Sequence, residues 1–468
     1  MERLLKYVST RGNAPVLNFE EVLLAGLATD GGLYVPEEYP FFSAAEMRKM
    51  RALSYSELAA RIMAPFTQGC FSEDELKEIA AKAYASFDHA VIAPLKQIRD
   101  DLWVMELFHG PTLAFKDYAL QVVGLMFDRV MQKQGKRITI VGATSGDTGS
   151  AAIEACKDRK GLDVFILHPH NRVSEVQRRQ MTTVLSENVF NIALEGTFDD
   201  CQSVVKSLFA DSRFRTEYAL SAVNSINWVR IMAQVVYYFR AALTLGAPDR
   251  EVSFAVPTGN FGNVFAGYVA KRMGLPVKQL ILGSNENDIL PRFLESGLME
   301  KRAVKPSISP SMDIQVSSNF ERLLFEATGR NASVVSKLME TFKYEGRYQV
   351  SEDVLDRIKK DFTGMCCDDV RTKAEIGRVF KSSGELLDPH SAIGAVAAEA
   401  FSDTVTPVII LATAHPAKFP VPVREATGVT PSLPLRMSDL LTRKEVFTVL
   451  PNSLDSIKYF IQTHVRKE

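Results

Sequence analysis

The chain has 468 residues, which at roughly 150 per domain points to about three domains or lobes and ample length for a large buried core. Hydrophobic residues at 46% and charged residues at 24% are ordinary globular values and leave little room for a long disordered, collagen-like or coiled-coil chain. Lys plus Arg at 55 against Asp plus Glu at 56 gives a net charge of −1, so no global field draws the molecule to nucleic acid or an anionic membrane, and anion binding must be local.

The five cysteines include the adjacent pair Cys366 and Cys367 but no CxxC and no Cys/His ladder, which disfavours a disulfide framework and a structural zinc site. Met1 to Asn13 mixes Glu2, Arg3, Lys6 and Arg11 with too short an apolar stretch for a signal peptide. No segment approaches the roughly 18 uninterrupted apolar residues of a membrane span. A reducing, cytoplasmic setting is the expectation.

Residues 1 to about 95 carry mainly helical periodicity, as in Glu75 to Ser86, interrupted by the turn-rich Thr29-Asp30-Gly31-Gly32 before Leu33-Tyr34-Val35-Pro36. An accessory N-terminal domain is expected there. From about residue 100 short apolar strands alternate with amphipathic helices, the pattern of parallel sheets covered on both faces. His109-Gly110-Pro111-Thr112-Leu113-Ala114-Phe115-Lys116-Asp117 opens a helix continued by Leu120, Val123, Phe127 and Val130. Lys116 lies in its first turns. The helix macrodipole opposes a cation there, and the apolar neighbours Leu113, Ala114 and Phe115 desolvate it, so its pKa falls below the reference of ~10.4. A neutral amine is nucleophilic, as a Schiff-base lysine must be; the plainer alternative is a solvated lysine beside Asp117.

Arg137-Ile138-Thr139-Ile140-Val141 reads as a strand that ends in Gly142-Ala143-Thr144-Ser145-Gly146-Asp147-Thr148-Gly149, with a helix from about 148. Glycines let that loop turn tightly. The hydroxyls of Thr144, Ser145 and Thr148 beside a helix N-terminus suit a carboxylate or phosphate, or simply an N-capped turn. Val164-Phe165-Ile166-Leu167 precedes a helix near 173, and Asn227 to Phe239 reads as another helix. Val252-Ser253-Phe254-Ala255-Val256 leads into Thr258-Gly259-Asn260-Phe261-Gly262-Asn263, where two glycines let consecutive amides converge on one oxyanion before a helix from about 263. Neither GxGxxG nor GxxxxGK with Ser or Thr occurs, so nucleotide loops of both common kinds are unsupported. Residues 310 to 395 read as a charged helical cap or insertion. Val408-Ile409-Ile410-Leu411-Ala412 is a last buried strand, from which Thr413 emerges ahead of Ala414-His415-Pro416-Ala417-Lys418-Phe419. His415 is a candidate base, or a hydrogen-bonded loop residue ahead of a proline.

Ligands of open parallel sheets sit beyond the carboxyl ends of the strands, and these loops all lie there. A nucleophilic lysine combined with anion loops asks for a ligand bearing an aldehyde and a phosphate, and pyridoxal 5′-phosphate has both.

The segments His109 to Asp117, Ala143 to Gly149, Asn224-Ser225-Ile226-Asn227-Trp228, Pro257 to Asn263 and Thr413 to Phe419 together resemble the threonine synthase family, in its bacterial and fungal branch. Ser9-Thr10-Arg11-Gly12 and Asp30 to Pro36 resemble that branch's extra N-terminal domain, so the resemblance spans nearly the whole chain. It implies an α/β, tryptophan-synthase-β-like fold (fold type II): two parallel-sheet lobes around a cleft plus a mainly helical N-terminal domain. The lobes are expected at 96–245 and 246–468, after an N-terminal domain at 1–95.

The resemblance further implies that Lys116 bonds the cofactor aldehyde and that Gly259, Asn260, Phe261, Gly262 and Asn263 cradle its phosphate. Thr413 would meet the pyridine nitrogen, and Asp147 would lie near the ring oxygen. Thr144, Ser145 and Thr148 would grip the substrate carboxylate, and Asn224, Ser225, Asn227, Arg230 and Lys418 are candidates for the substrate phosphate. The implied reaction takes O-phospho-L-homoserine and water to L-threonine and phosphate, in a monomer or weak oligomer with no metal, nucleic-acid or membrane partner. A phospho-lyase giving 2-oxobutyrate, and a non-catalytic regulatory descendant, stand as alternatives.

Overall fold

The computed structural model describes residues 4–144, 146–222 and 225–466. The N-terminal unit pairs Tyr7–Ser9 antiparallel with Tyr34–Pro36 and surrounds them with helices Phe19–Ala25, Ala44–Met50, Tyr55–Met63 and Glu73–Tyr84. Each of these helices opens with a capping box, Asn18 with Glu21, Ser43 with Glu46, Ser54 with Glu57 and Ser72 with Glu75. Both orphan amides are thereby satisfied within each first turn, so these short helices start where the sequence dictates.

Two sheets follow. The six-stranded sheet runs in the order Phe362–Cys366, Val277–Ser284, Val252–Pro257, Val408–Ala412, Leu102–Glu106, Leu95–Gln97, parallel except for its last pair. The five-stranded sheet runs Thr448–Pro451, Val189–Glu195, Leu162–Pro169, Ile138–Ala143, Leu220–Ser221 and is wholly parallel. Helices Lys116–Gln134, Asp147–Cys156, Trp228–Thr244 and Gly262–Arg272 share one buried core with the strands Ile138–Ala143, Leu162–Pro169, Val252–Pro257, Val277–Ser284 and Val408–Ala412. Trp228–Thr244 is buried nearly all round, as an apolar helix enclosed by others must be.

The α/β architecture with a helical N-terminal region matches the expectation from sequence. The two sheets, however, do not divide at residue 245. Leu95–Gln97 and Leu102–Glu106 belong to the sheet built mainly from residues after 250, and Thr448–Pro451 returns to the sheet begun at Ile138. The segment 310–395 also departs from a purely helical insertion, because Phe362–Cys366 pairs in register with Leu280–Ser284 as the edge of the six-stranded sheet. A five-residue strand between two charged helices leaves little periodicity to find.

Strand order reverses within each sheet. In the larger one the reversal falls between Val252–Pro257 and Val408–Ala412, and in the smaller one between Ile138–Ala143 and Leu220–Ser221. Such switch points leave a crevice at the carboxyl ends of the strands. The loops that follow these four strands begin at Thr258, Thr413, Thr144 and Ala222.

Candidate active site

Three helices that start in the strand-end loops lack the side-chain caps found throughout the N-terminal unit. Lys116–Gln134 begins after Phe115, Asp147–Cys156 after Gly146 and Gly262–Arg272 after Phe261, none of which bonds a first-turn amide through its side chain. First turns not capped by the preceding residue carry partial positive charge and, where no other side chain reaches them, free donors.

Lys116 is fixed by pairing of its loop with the Thr413 loop. The Phe115 amide donates to Thr413 O at 2.9 Å and the His415 amide to Leu113 O at 3.0 Å, with Leu113 held in the left-handed region at φ 63°. Such a conformation in a branched residue persists only where its surroundings enforce it. Asp117, wholly buried, accepts from the Thr112 amide at 2.8 Å and its hydroxyl at 2.7 Å and so shapes the turn ahead of the lysine. Burial pushes the Asp117 carboxyl up to about 6 against those two donors.

The Lys116 ammonium lies 3.7 Å from Asp147 Oδ2, so the lysine of one sheet meets the carboxylate of the other. Lys418 Nζ sits 2.7 Å from Asp147 Oδ1 and donates to Thr112 O at 2.8 Å, and Gln177 Nε2 donates to Asp147 Oδ1 at 2.8 Å. Burial lowers the pKa of Lys116; Asp147 opposes the shift, while Lys418 and Arg230 add to it. Burial pushes the Asp147 carboxyl upward, but Lys418 and then Lys116 outweigh it and hold the group far below the usual carboxylate range. The lysine amine is therefore easier to deprotonate than a solvated one, as the sequence reading required.

The loop 258–263 fits a phosphate. Phe261 takes φ 63°, and a Cβ on Gly259 would lie 3.0 Å from Ser311 O, a contact only glycine avoids. Ser317 Oγ donates to Gly259 O at 2.7 Å, while the Asn319 amide and Nδ2 donate to Asn260 O at 3.2 and 2.9 Å. The carbonyls are thus tied back. Asn263 is buried; its Oδ1 accepts from Tyr237 at 2.6 Å and Tyr238 at 2.9 Å, and its Nδ2 has no partner among the described residues. An orphaned buried donor beside an uncapped helix start suits an oxyanion.

Thr413 is buried at the end of its strand. Its amide donates to Ser391 Oγ at 3.0 Å, Ser391 in turn donates to Asp388 Oδ2, and Asp388 Oδ1 meets His390 Nδ1 at 2.8 Å. No hydrogen bond to the Thr413 hydroxyl occurs among the described residues, so it remains available for a ring nitrogen. Arg230 is the most telling candidate: it is buried, its Nε and Nη1 have no partner among the described residues, and burial brings its pKa down to about 10.

Other expectations change. Thr144 Oγ1 accepts from the amides of Gly146 at 3.0 Å and Gly149 at 2.9 Å, so it builds the loop instead of gripping a carboxylate. Asn227 caps the helix Trp228–Thr244 through the Val229 amide and donates to Leu23 O, which commits both ends of its amide and removes it from the phosphate candidates. Lys418 is wholly buried on Asp147 and Thr112 O, so it tunes the carboxylate and is not free to hold a phosphate. His415 spends Nδ1 on the Ala417 amide, and burial lowers it to about 4, which makes it a loop cap and not a base at neutral pH. Thr148 is half-buried with no side-chain hydrogen bond to a described residue, and Ser225 offers its carbonyl to Asn319 Nδ2 at 3.1 Å. Ser145 and Asn224 lie outside the described residues.

Sequence reasoning missed Gln177, Asn319, Arg322, Asp388 and Ser391. Only Asp388-Pro389-His390-Ser391, with its Asp before Pro at a helix start, offered a local signal.

A lysine with depressed basicity, a glycine loop suited to phosphate and a neutral hydroxyl at the switch point define a pyridoxal-phosphate-dependent enzyme of the tryptophan-synthase-β-like fold. The comparisons agree: the family described as pyridoxal-phosphate dependent enzyme matches residues 91–343, threonine synthase N terminus residues 6–84 and threonine synthase C-terminal residues 391–461. Threonine synthase of Pseudomonas aeruginosa is 55% identical over 98% of both chains. The crystal structure of pyridoxal-phosphate-bound threonine synthase from Brucella melitensis is 54% identical and superposes with a TM-score of 0.98 over 99% of this chain and all of that one. That of yeast threonine synthase is 39% identical, with a TM-score of 0.94 over 98% of each. The chain belongs to the threonine synthase family.

Proposed function

We propose that the protein converts O-phospho-L-homoserine and water into L-threonine and phosphate. The observation that carries this reading is Arg230, a buried guanidinium whose Nε and Nη1 have no partner among the described residues, whose charge adds to the lowering of the Lys116 pKa, and which is separate in sequence from the loop 259–263. One anion receptor suits the cofactor phosphate; a second, near the lysine, suits a phosphate carried by the substrate.

When bound, pyridoxal phosphate supplies the electron sink that makes bonds at the substrate's α-carbon labile. Lys116 binds the cofactor aldehyde, yields it to the substrate amine, and as a free neutral amine moves protons at Cα and then Cβ. Burial lowers the basicity of that amine, Asp147 opposes the shift and Lys418 adds to it. Gly259 to Asn263 hold the cofactor phosphate, and Thr413 offers the ring nitrogen a neutral hydroxyl, which stabilises a pyridinium less than a carboxylate does and favours elimination and replacement over transamination. Arg230 with Ser225 receives the leaving phosphate, and Thr148 faces the substrate carboxylate.

The protein works in the cytoplasm on a small molecule, as a monomer or weak oligomer without nucleic-acid or membrane partners. Its net charge of −1 supports this, and no helix among the described residues is long and apolar enough to cross a membrane. Incubating the holoprotein with O-phospho-L-homoserine and identifying the products tests the reaction. Equimolar threonine and phosphate are expected, whereas a predominance of 2-oxobutyrate, or no phosphate release, overturns it.

A further inference from the structure

Arg322 is a wholly buried guanidinium that touches three parts of the chain at once. Its Nε donates to Tyr34 O at 3.0 Å in the N-terminal unit, its Nη2 to Ile226 O at 2.6 Å, and its Nη1 to Asn319 Oδ1. Asn319, equally buried, passes the connection on: its Nδ2 donates to Ser225 O at 3.1 Å and to Asn260 O at 2.9 Å. A Cβ added to Gly262 would lie 3.3 Å from that same Nδ2. One amide nitrogen thus bonds both the loop that fits a cofactor phosphate and the turn that leads into Asn227 and Arg230. The planar fork of the guanidinium fixes the amide's orientation and ties both to the strand Tyr34–Pro36.

We propose that Asn319 and Arg322 are positioning residues that set the spacing between the loop 259–263 and the turn at Ser225 and Ile226, and so select a phosphorylated amino acid by the length of chain between its amino group and its phosphate. This rests on the activity proposed above. With the cofactor's phosphate held at the loop and the substrate's beside Arg230, the distance between the two receptors fixes how far from the cofactor the substrate's phosphate must lie, and so which chain length spans from the amino group joined to the cofactor to Arg230. A displacement of about 1 Å in such a clamp is enough to cost large factors in productive binding. The arrangement also gives the N-terminal unit a part in specificity without lending it a residue that touches substrate.

The test compares Asn319→Ala, Arg322→Lys and Arg322→Met holoproteins with the wild type. It reads kcat and KM for O-phospho-L-homoserine, Ki for O-phospho-L-serine, which is one carbon shorter, and the melting temperature. In Asn319→Ala and in Arg322→Lys, which keeps the charge but loses the fork, KM is expected to rise about tenfold or more while Ki for the shorter compound changes less than about twofold. A merely structural role would instead lower the melting temperature and move both constants in step, and that result overturns the proposal. So does wild-type behaviour of Arg322→Lys alongside a defective Arg322→Met, since charge alone would then suffice. Should the wild type fail to turn over O-phospho-L-homoserine, the proposed activity falls, and the dissociation constants of O-phospho-L-homoserine and O-phospho-L-serine from the holoprotein decide the spacing claim. Binding of the longer compound about tenfold weaker in Asn319→Ala and Arg322→Lys, with the shorter one changed less than about twofold, supports it; equal change in both, or no change, overturns it.

Discussion

Lys418 and Lys116 share one carboxylate: the two oxygens of Asp147 lie 2.7 Å from the first ammonium and 3.7 Å from the second. Two buried cations divide a single negative charge, so the pKa of the reactive lysine answers to a residue about 300 positions away in sequence. Lys418→Met removes a like charge from Lys116 and leaves Asp147 to it alone, which raises the Lys116 pKa. Asp147→Asn removes the opposing charge and lowers it. The rate at which apoprotein takes up pyridoxal phosphate, followed by absorbance across pH, should therefore rise at higher pH in Lys418→Met than in wild type and at lower pH in Asp147→Asn. Identical profiles for all three would disprove the coupling.

Lys116→Ala removes the only amine assigned to the cofactor aldehyde. The purified variant is expected to lack the visible absorption of the covalently bound cofactor and to lose turnover by several orders of magnitude. Borohydride treatment of the wild type followed by peptide mapping should find the reduced adduct at position 116, and an adduct elsewhere would reassign the chemistry.

Arg230 places function and stability in opposition. A buried guanidinium without a counter-ion among the described residues destabilises the fold until an anion reaches it. Arg230→Met should unfold at higher temperature than wild-type apoprotein, with a gain on the order of 1–3 kcal/mol, while KM for the phosphorylated substrate rises on the order of 100-fold. Inorganic phosphate should stabilise the wild type more than the variant, which keeps only the loop 259–263 as an anion receptor. A variant that is less stable yet binds phosphate normally would refute this account.

His168, at the end of the strand Leu162–Pro169, is buried, and burial lowers its pKa to about 4, with His170 and Arg178 adding to the shift and Glu445 opposing it. Its unfolded value is about 6.5, so between the two the unfolded chain binds a proton that the folded chain does not. Stability from this group is present above about pH 6.5 and is lost as pH falls toward 4, by up to about 3 kcal/mol. His168→Leu should flatten the acid limb of urea-denaturation stability measured between those values; an unchanged slope would locate the acid sensitivity in other groups.

Two of the loops that carry the proposed chemistry were legible because a mostly apolar strand runs into a glycine-rich turn, as in Val252 to Asn263, and the third because Thr413 is the first polar residue after the apolar strand Val408–Ala412. Lys116 was legible through its apolar flanks and its place at a helix start. What surrounds these residues was not. Gln177 reaches Asp147 across 30 positions, Asn319 reaches Asn260 across 59, and Arg322 reaches Tyr34 across 288. None of those partnerships has a period or a spacing. Asn227 shows the opposite failure, since an Asn before a helix satisfies the description of both a ligand and a cap, and only its bonds to Val229 N and Leu23 O separate them. Sheet membership was lost for a similar reason: Leu102–Glu106 is short and ends in Glu106, and its neighbour Val408–Ala412 lies at the other end of the chain.

The strand Thr448–Pro451 completes the sheet that Ile138–Ala143 begins, pairing along Ile192 to Glu195. During synthesis that flank of Val189–Glu195 stays unpaired until Thr448–Pro451 has emerged, about 250 residues later, and an open strand is a template for association with other chains. Loss of Thr448–Pro451 should therefore yield nascent protein that aggregates, although every residue assigned to the chemistry lies upstream and intact.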